Sequence, residues 1–232
     1  MSNELKVLSA GAVKSGVSQV AQEFERTTGT KVSIEFNTAP ELRKRIAAGE
    51  AADVVVAPPA AMDEFQKQGR IVPGSRGFVG RSRMGVVVHA DAPAPDVSNA
   101  VAFTKALAAA SAVVHNKASS GIYSATLLEK LGLKEKLGAR IVVVDTGGAV
   151  MKTVAEKGAG AIGLAQISEV MVMIDKGCKV KLAAPLPGEI QNETSYEAAV
   201  TAASASPEAA KKLAASLASD AAKKVFAATG IS

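Results

Sequence analysis

The chain has 232 residues, 48% of them hydrophobic, which is enough to bury a sizeable core in one large domain or two modest lobes. Its 27 Lys and Arg against 22 Asp and Glu leave a mild net charge of +5, with Arg43-Lys44-Arg45 as the densest cluster. Aromatics make up only 3% and tryptophan is absent, which excludes the basic stripe with interleaved rings of a nucleic-acid binder. The lone Cys178 excludes an internal disulfide and a cysteine-built metal cage.

Short apolar runs alternate with amphipathic stretches, the pattern of parallel strands with crossover helices in an α/β fold. The first strands are Leu5 to Leu8, Val32 to Phe36 and Val54 to Val56. Between the first two, Val17, Val20, Ala21 and Phe24 recur at helical spacing, and Gly29 stops that helix. Thr38 with Glu41 three residues later reads as a capping box, with Pro40 in the first turn, so a helix follows with Leu42 and Ile46 on its apolar face. A third helix, about Ala60 to Gln68, leads into a Gly-, Pro- and Arg-rich stretch, Gly69 to Arg83, that breaks the alternation.

The pattern resumes with a strand, Met84 to His89, a helix from Val101 to Ala109, and a strand from Ala112 to His115. A helix from about Tyr123 to Leu131, a strand Ile141 to Val144, a helix Ala149 to Glu156 and a strand Ala161 to Leu164 come next. A helix from about Ser168 and a strand near Val180 to Leu182 precede a second break, Pro185-Leu186-Pro187-Gly188. The tail holds a strand around Ser195 to Val200 and two alanine-rich helices, Pro207 to Ala218 and Asp220 to Ala228. The two breaks predict two Rossmann-like lobes joined by a two-crossing hinge, residues 1–81 with 188–232 and residues 82–187, with a ligand cleft between them.

Four polar runs fall where a strand gives way to a helix: Ser9-Ala10-Gly11, Asn37-Thr38, Ser119-Ser120-Gly121 and Thr146-Gly147-Gly148. Helix N-termini leave N–H groups unpaired at the positive end of the dipole, so hydroxyls and glycines there suit a small anion. In open α/β sheets that edge of the strands is also where ligands bind. Each run taken singly also reads as an ordinary helix cap. Arg81 and Arg83 sit at the first crossing, where an arginine would suit a carboxylate, or stand as solvated charges. Tyr123 reads as a hydroxyl donor or a packed ring, Gln166 and Ser168 mark another strand-to-helix turn, and Ser168 reads first as an N-cap.

The order Leu-Lys-Val-Leu-Ser-Ala-Gly-Ala, the Phe-Asn-Thr-Ala turn and Arg-Ile-Ala-Ala-Gly-Glu-Ala-Ala-Asp-Val-Val-Val resembles the molybdate-binding proteins of ABC importers, which have the type II periplasmic binding protein fold. Ser119-Ser120-Gly121-Ile122-Tyr123 and Gly158-Ala159-Gly160-Ala161-Ile162-Gly163 extend the resemblance over nearly the whole chain. Gly80-Arg81-Ser82-Arg83, the run from Ile162 to Glu169 and Leu186-Pro187-Gly188-Glu189-Ile190-Gln191 look more like a divergent branch that also resembles the aconitate isomerases. By this resemblance Ser9, Thr38 and Ser120 match hydroxyl or turn positions of an oxyanion site. The ligand implied is a tetrahedral oxyanion such as molybdate or a small carboxylate, and the partner an ABC permease.

Two rival readings stand beside a solute-binding protein: an isomerase making an allylic proton shift on a small polycarboxylate, and a cytosolic ligand sensor. The isomerase needs an acid–base group, for which Lys14, His115, Tyr123 and Glu169 are the choices. No nucleophile elbow, phosphate loop or dinucleotide fingerprint is present, and two distant histidines do not make a metal site. The expectation is a monomer without cofactor, metal, nucleic acid or membrane insertion. It would be cytoplasmic if Met1 is the native start, and periplasmic if the chain is a mature form whose signal peptide has been removed.

Overall fold

The computed structural model describes residues 4–232. The chain divides into two compact units: the residues up to Ser82 together with Thr194–Ser232, and Arg83–Glu193.

The first unit begins with β1 (Glu4–Ala10), a short 3-10 turn, α1 (Lys14–Thr28), β2 (Lys31–Asn37), α2 (Ala39–Ala47), β3 (Val54–Ala57) and α3 (Pro59–Lys67). The chain then enters β4 (Gly77–His89), which passes into the second unit after Ser82. Gly29 ends α1 with φ 71°, the left-handed conformation in which a side chain would be strained. All four residues of β3 are buried, as expected of a strand covered on both faces.

The second unit contains α4 (Ala100–Ala109), β5 (Ala112–Asn116), α5 (Ser119–Lys130), α6 (Lys134–Leu137), β6 (Ile141–Val144), α7 (Gly147–Lys157), β7 (Ala161–Gln166), α8 (Ile167–Asp175) and β8 (Val180–Pro185). The first unit is completed by β9 (Glu193–Val200), α9 (Pro207–Leu217) and α10 (Asp220–Ala228).

Both sheets are mixed rather than wholly parallel. In the first unit the order is β2-β1-β3-β9, with β1 parallel to β2 and β3, and β9 antiparallel to β3. In the second it is β4-β7-β5-β6, with β5 parallel to its neighbours and β4 antiparallel to β7 and to β8. The antiparallel strands β4 and β9 adjoin the crossings, so they enter from outside the βα alternation.

Two core features fix the first unit. Asp53 is 9% exposed, accepts from the Lys6 amide at 2.8 Å and from Ser204 Oγ at 2.6 Å, and so ties β1 to the loop after β9. Gly16 lets α1 close on α10, because a Cβ there would lie 2.1 Å from a ring carbon of Phe226. The two arginines of the basic cluster are paired locally: Arg45 with Glu35 and Glu50, and Arg43 with Glu64. Arg45 and Lys6 hold the Glu50 carboxyl down at about 2, so its stabilising contribution is present above pH 4.5 and is lost as pH falls toward 2.

Three expectations are revised. The stretch Gly77–Arg83 is not an irregular break but the first half of β4, in which exposed Arg81 and Arg83 alternate with buried Ser82 and Met84. α5 and α7 begin at Ser119 and Gly147, so the polar runs lie inside their first turns rather than before them. The chain returns to the first unit at Thr194, beyond the Pro185–Gly188 break. Residues 186–191 are bound into the second unit: Leu186 is buried in its core, and Gln191 accepts from the Met84 amide at 2.8 Å.

Candidate functional site

In the first unit, Ser9 is the last residue but one of β1, with its hydroxyl buried and donating to the Ala10 carbonyl at 3.2 Å. Ala10 ends the strand beside Asn37 of β2, and Gly11 opens the turn into α1. Asn37 carries an unusual feature: its Nδ2 is buried and has no hydrogen-bond partner among the described residues. An amide left this way costs about 1–3 kcal/mol, so it marks a place where a partner is wanted. Thr38 is the N-cap residue of α2, but its hydroxyl makes no capping bond, which corrects the capping box. Pro40, near the start of the helix, has no N–H to offer it.

In the second unit, β6, β5 and β7 lie side by side and parallel. Their carboxyl ends at Val144, Asn116 and Gln166 therefore share one edge, and the N-termini of α7, α5 and α8 gather there. β4 runs antiparallel to β7 with Met84 opposite Gln166, which sets Arg83 at that edge as well. Arg81 belongs to the first unit, where its backbone pairs with Ser232 and its guanidinium lies 5.6 Å from the Phe78 ring centre.

The start of α5 is organised by a residue that the sequence pattern did not single out. Asn116, 1% exposed, accepts through Oδ1 from the Ala118 amide at 2.8 Å and the Gly121 amide at 3.1 Å. Its Nδ2 donates to Ser120 Oγ at 3.0 Å. The Ser120 hydroxyl and the Gly121 N–H are thus engaged within the protein. His115 is buried with Nδ1 3.0 Å from the Asn116 carbonyl oxygen.

At α7, Thr146 is the N-cap and its Oγ1 accepts from the Ala149 amide at 3.2 Å, leaving Gly147 and Gly148 as the first two helical residues. Against them stands Glu169 from the first turn of α8: a Cβ on Gly147 would meet its Oε2 at 2.0 Å. Burial pushes the Glu169 carboxyl up to about 7, with no cation or donor among the described residues to offset it. The N-cap of α8 is Gln166, with Ser168 one turn position inside the helix, which corrects its reading as the cap.

Tyr123 is turned away to structural work. Its hydroxyl donates to the Ile190 carbonyl at 2.8 Å and its ring packs on the core, so it pins the segment after β8. Tyr123→Phe is expected to cost the second unit about 1 kcal/mol in denaturant unfolding while leaving ligand affinity unchanged.

Among the described residues, no helix is long and apolar enough to cross a membrane, and no group of three or more His, Cys, Asp or Glu could hold a metal ion. The chain is 31% identical over 235 residues to aconitate isomerase of a Pseudomonas species, covering 98% of this chain and 87% of that protein. Its fold is that of the periplasmic molybdate-binding protein of Azotobacter vinelandii, with a TM-score of 0.77 at 21% identity over 98% of each chain. The Geobacter sulfurreducens tungstate ABC transporter structure matches with a TM-score of 0.74 at 17% identity, over 97% of this chain and 98% of that one. The model of the bacterial extracellular solute-binding proteins matches residues 5–232, and the chain belongs to that family.

Proposed function

We propose that this protein is a solute-binding protein for a small carboxylate-bearing anion, delivered to an ABC-type permease. The observation that carries the reading is the gathering of the α5, α7 and α8 N-termini with Arg83 and Glu169 on one sheet edge. Unpaired helix N–H groups and their dipoles attract an anion. An arginine offers a planar two-pronged match to a carboxylate. A carboxyl that titrates near neutrality can share a proton with a second carboxyl, whereas it repels a doubly charged tetrahedral oxyanion whenever it is ionised.

The test is a thermal-shift screen of the full chain against citrate, cis- and trans-aconitate, molybdate, tungstate and sulfate. A ligand at about a hundredfold its Kd stabilises the folded state by about 2.7 kcal/mol. Carboxylates that shift the melting temperature while the inorganic oxyanions do not support the proposal. A shift with molybdate or tungstate alone overturns the carboxylate assignment.

A second reading, an isomerase, is favoured by Glu169 together with the aconitate isomerase relative. In an allylic proton shift the ionised carboxyl removes a proton from a CH2 group beside a carboxylate, and the electron pair spreads over the C=C bond and its carboxylates. The carboxylic acid so formed exchanges its proton with solvent and delivers one to the far carbon, so the double bond moves with no oxidant or reductant. General-base work of this kind is most effective when the group titrates near the working pH. Following cis-aconitate by NMR in deuterated buffer decides it: isomerisation with deuterium in the product supports the enzyme, and unchanged, undeuterated substrate overturns it.

A further inference from the structure

Resting on the anion-binding reading, we infer that Asn116 is a specificity-determining residue: it satisfies the start of α5 with a neutral acceptor and so reserves the positive end of that helix for the charge of the ligand. Three donors converge on this one side chain. The Ala118 and Gly121 amides reach Oδ1, and the Ser120 hydroxyl stands 3.4 Å from the same oxygen while accepting from Nδ2 at 3.0 Å. A carboxylate in this place would meet the same two N–H groups and could take the Ser120 hydroxyl as a third donor. It would also be favoured by the helix dipole, so stability alone does not call for an amide.

What a carboxylate would change is the charge. An aspartate here would act as a permanently bound anion, neutralising the helix end that a ligand would otherwise meet. The independent sign that a ligand belongs at this edge is Glu169, whose carboxyl is enclosed against Gly147 with no partner among the described residues. Arg83 stands at the same edge. Gly121 reinforces the arrangement, because a Cβ there would fall 1.5 Å from the Asn116 carbonyl oxygen, so the helix start and Asn116 are held at close range.

The experiment compares the full chain with Asn116→Asp and Asn116→Ser by titration calorimetry, using citrate and trans-aconitate as probes at pH 7.5. Unit charges about 6 Å apart in a protein surface environment repel enough to weaken binding about a hundredfold. Asn116→Asp is expected to lose about that factor at pH 7.5 and to melt no lower than the parent, because the same donors hold the new carboxyl in its ionised form. Asn116→Ser, which removes the amide without adding charge, is expected to lose less affinity than Asn116→Asp, and an equal loss in the two variants overturns the assignment to charge. Asn116→Asp binding as tightly as the parent overturns the inference while leaving the anion-binding reading in place. An unfolded Asn116→Asp overturns the premise that three donors would hold a carboxylate. A parent chain that binds neither probe overturns the function reading, and this inference falls with it.

Discussion

Glu169→Gln is expected to stabilise the protein above pH 7 by about 2–3 kcal/mol and to leave it unchanged below pH 4. The Glu169 carboxyl rises from 4.5 to about 7 because it is buried, so the folded state holds its proton more tightly than the unfolded chain does. Stability therefore falls as pH climbs from 4.5 to 7 and levels off above that, where the folded protein carries an unwelcome charge. Glutamine never ionises and escapes the whole loss. A tenfold change in ionisation is worth about 1.4 kcal/mol, and the total is discounted because the side chain as a whole is only partly buried. Denaturant unfolding at pH 4 and pH 8 measures the gap. A glutamine variant less stable at pH 8 would mean that Glu169 is a satisfied structural carboxylate. Under the isomerase reading the same variant also loses deuterium incorporation, so a stability gain coupled to a functional loss would mark a group kept strained for its chemistry.

Gly121→Ala is expected to be more damaging, costing over about 4 kcal/mol and disrupting the second unit. The added Cβ would lie 1.5 Å from the Asn116 carbonyl oxygen and 2.3 Å from its carbon, and these are backbone atoms that cannot swing aside. Either the first turn of α5 or the end of β5 has to move, and the Asn116 bonds to Ala118 and Gly121 are lost with it. Gly148→Ala is the control, since its Cβ would meet only the flexible Met173 sulfur at 3.5 Å, an ordinary contact. Thermal and denaturant unfolding of both variants checks the contrast, and a Gly121→Ala protein within 1 kcal/mol of the parent, an effect typical of tolerated substitutions, would contradict the packing described for α5.

Much of the scaffold was legible because apolar periodicity is a local signal. β6 at Ile141–Val144 and α10 at Asp220–Ala228 have the bounds that the pattern predicts, and Gly29 stops α1 as expected. α5 and α7 start four and two residues before the positions that the pattern predicts, because serine and glycine are poor helix formers. In a first turn the N–H groups can be served from outside the helix, here that of Gly121 by Asn116 and that of Ala149 by Thr146. The first half of β4 was obscured by its arginines, although Arg81 and Arg83 alternating with Ser82 and Met84 is itself a period-2 pattern.

The site was legible as a set of turns but not as a set of partnerships. Asn116 acquires its role only once residues 118, 120 and 121 are wound into a helix start, so no spacing rule pointed to it. Glu169 stood among four possible acid–base groups. Its distinction comes from contact with Gly147, 22 positions earlier in the chain, which only the fold brings about. Tyr123 and Ser168 show the reverse, since hydroxyl-bearing side chains near helix starts were read as ligand or cap groups. The fold sends the first to Ile190 and sets the second inside α8.

The central claim is that helix-start N–H groups of the second unit hold a small carboxylate. Amide NMR of the full chain during a titration with trans-aconitate tests it most directly. The signals of Ser119, Ser120, Gly147 and Gly148 are expected to move most, saturating with a single Kd. Amides at those positions that stay still while the ligand saturates elsewhere, or no movement anywhere, would contradict it.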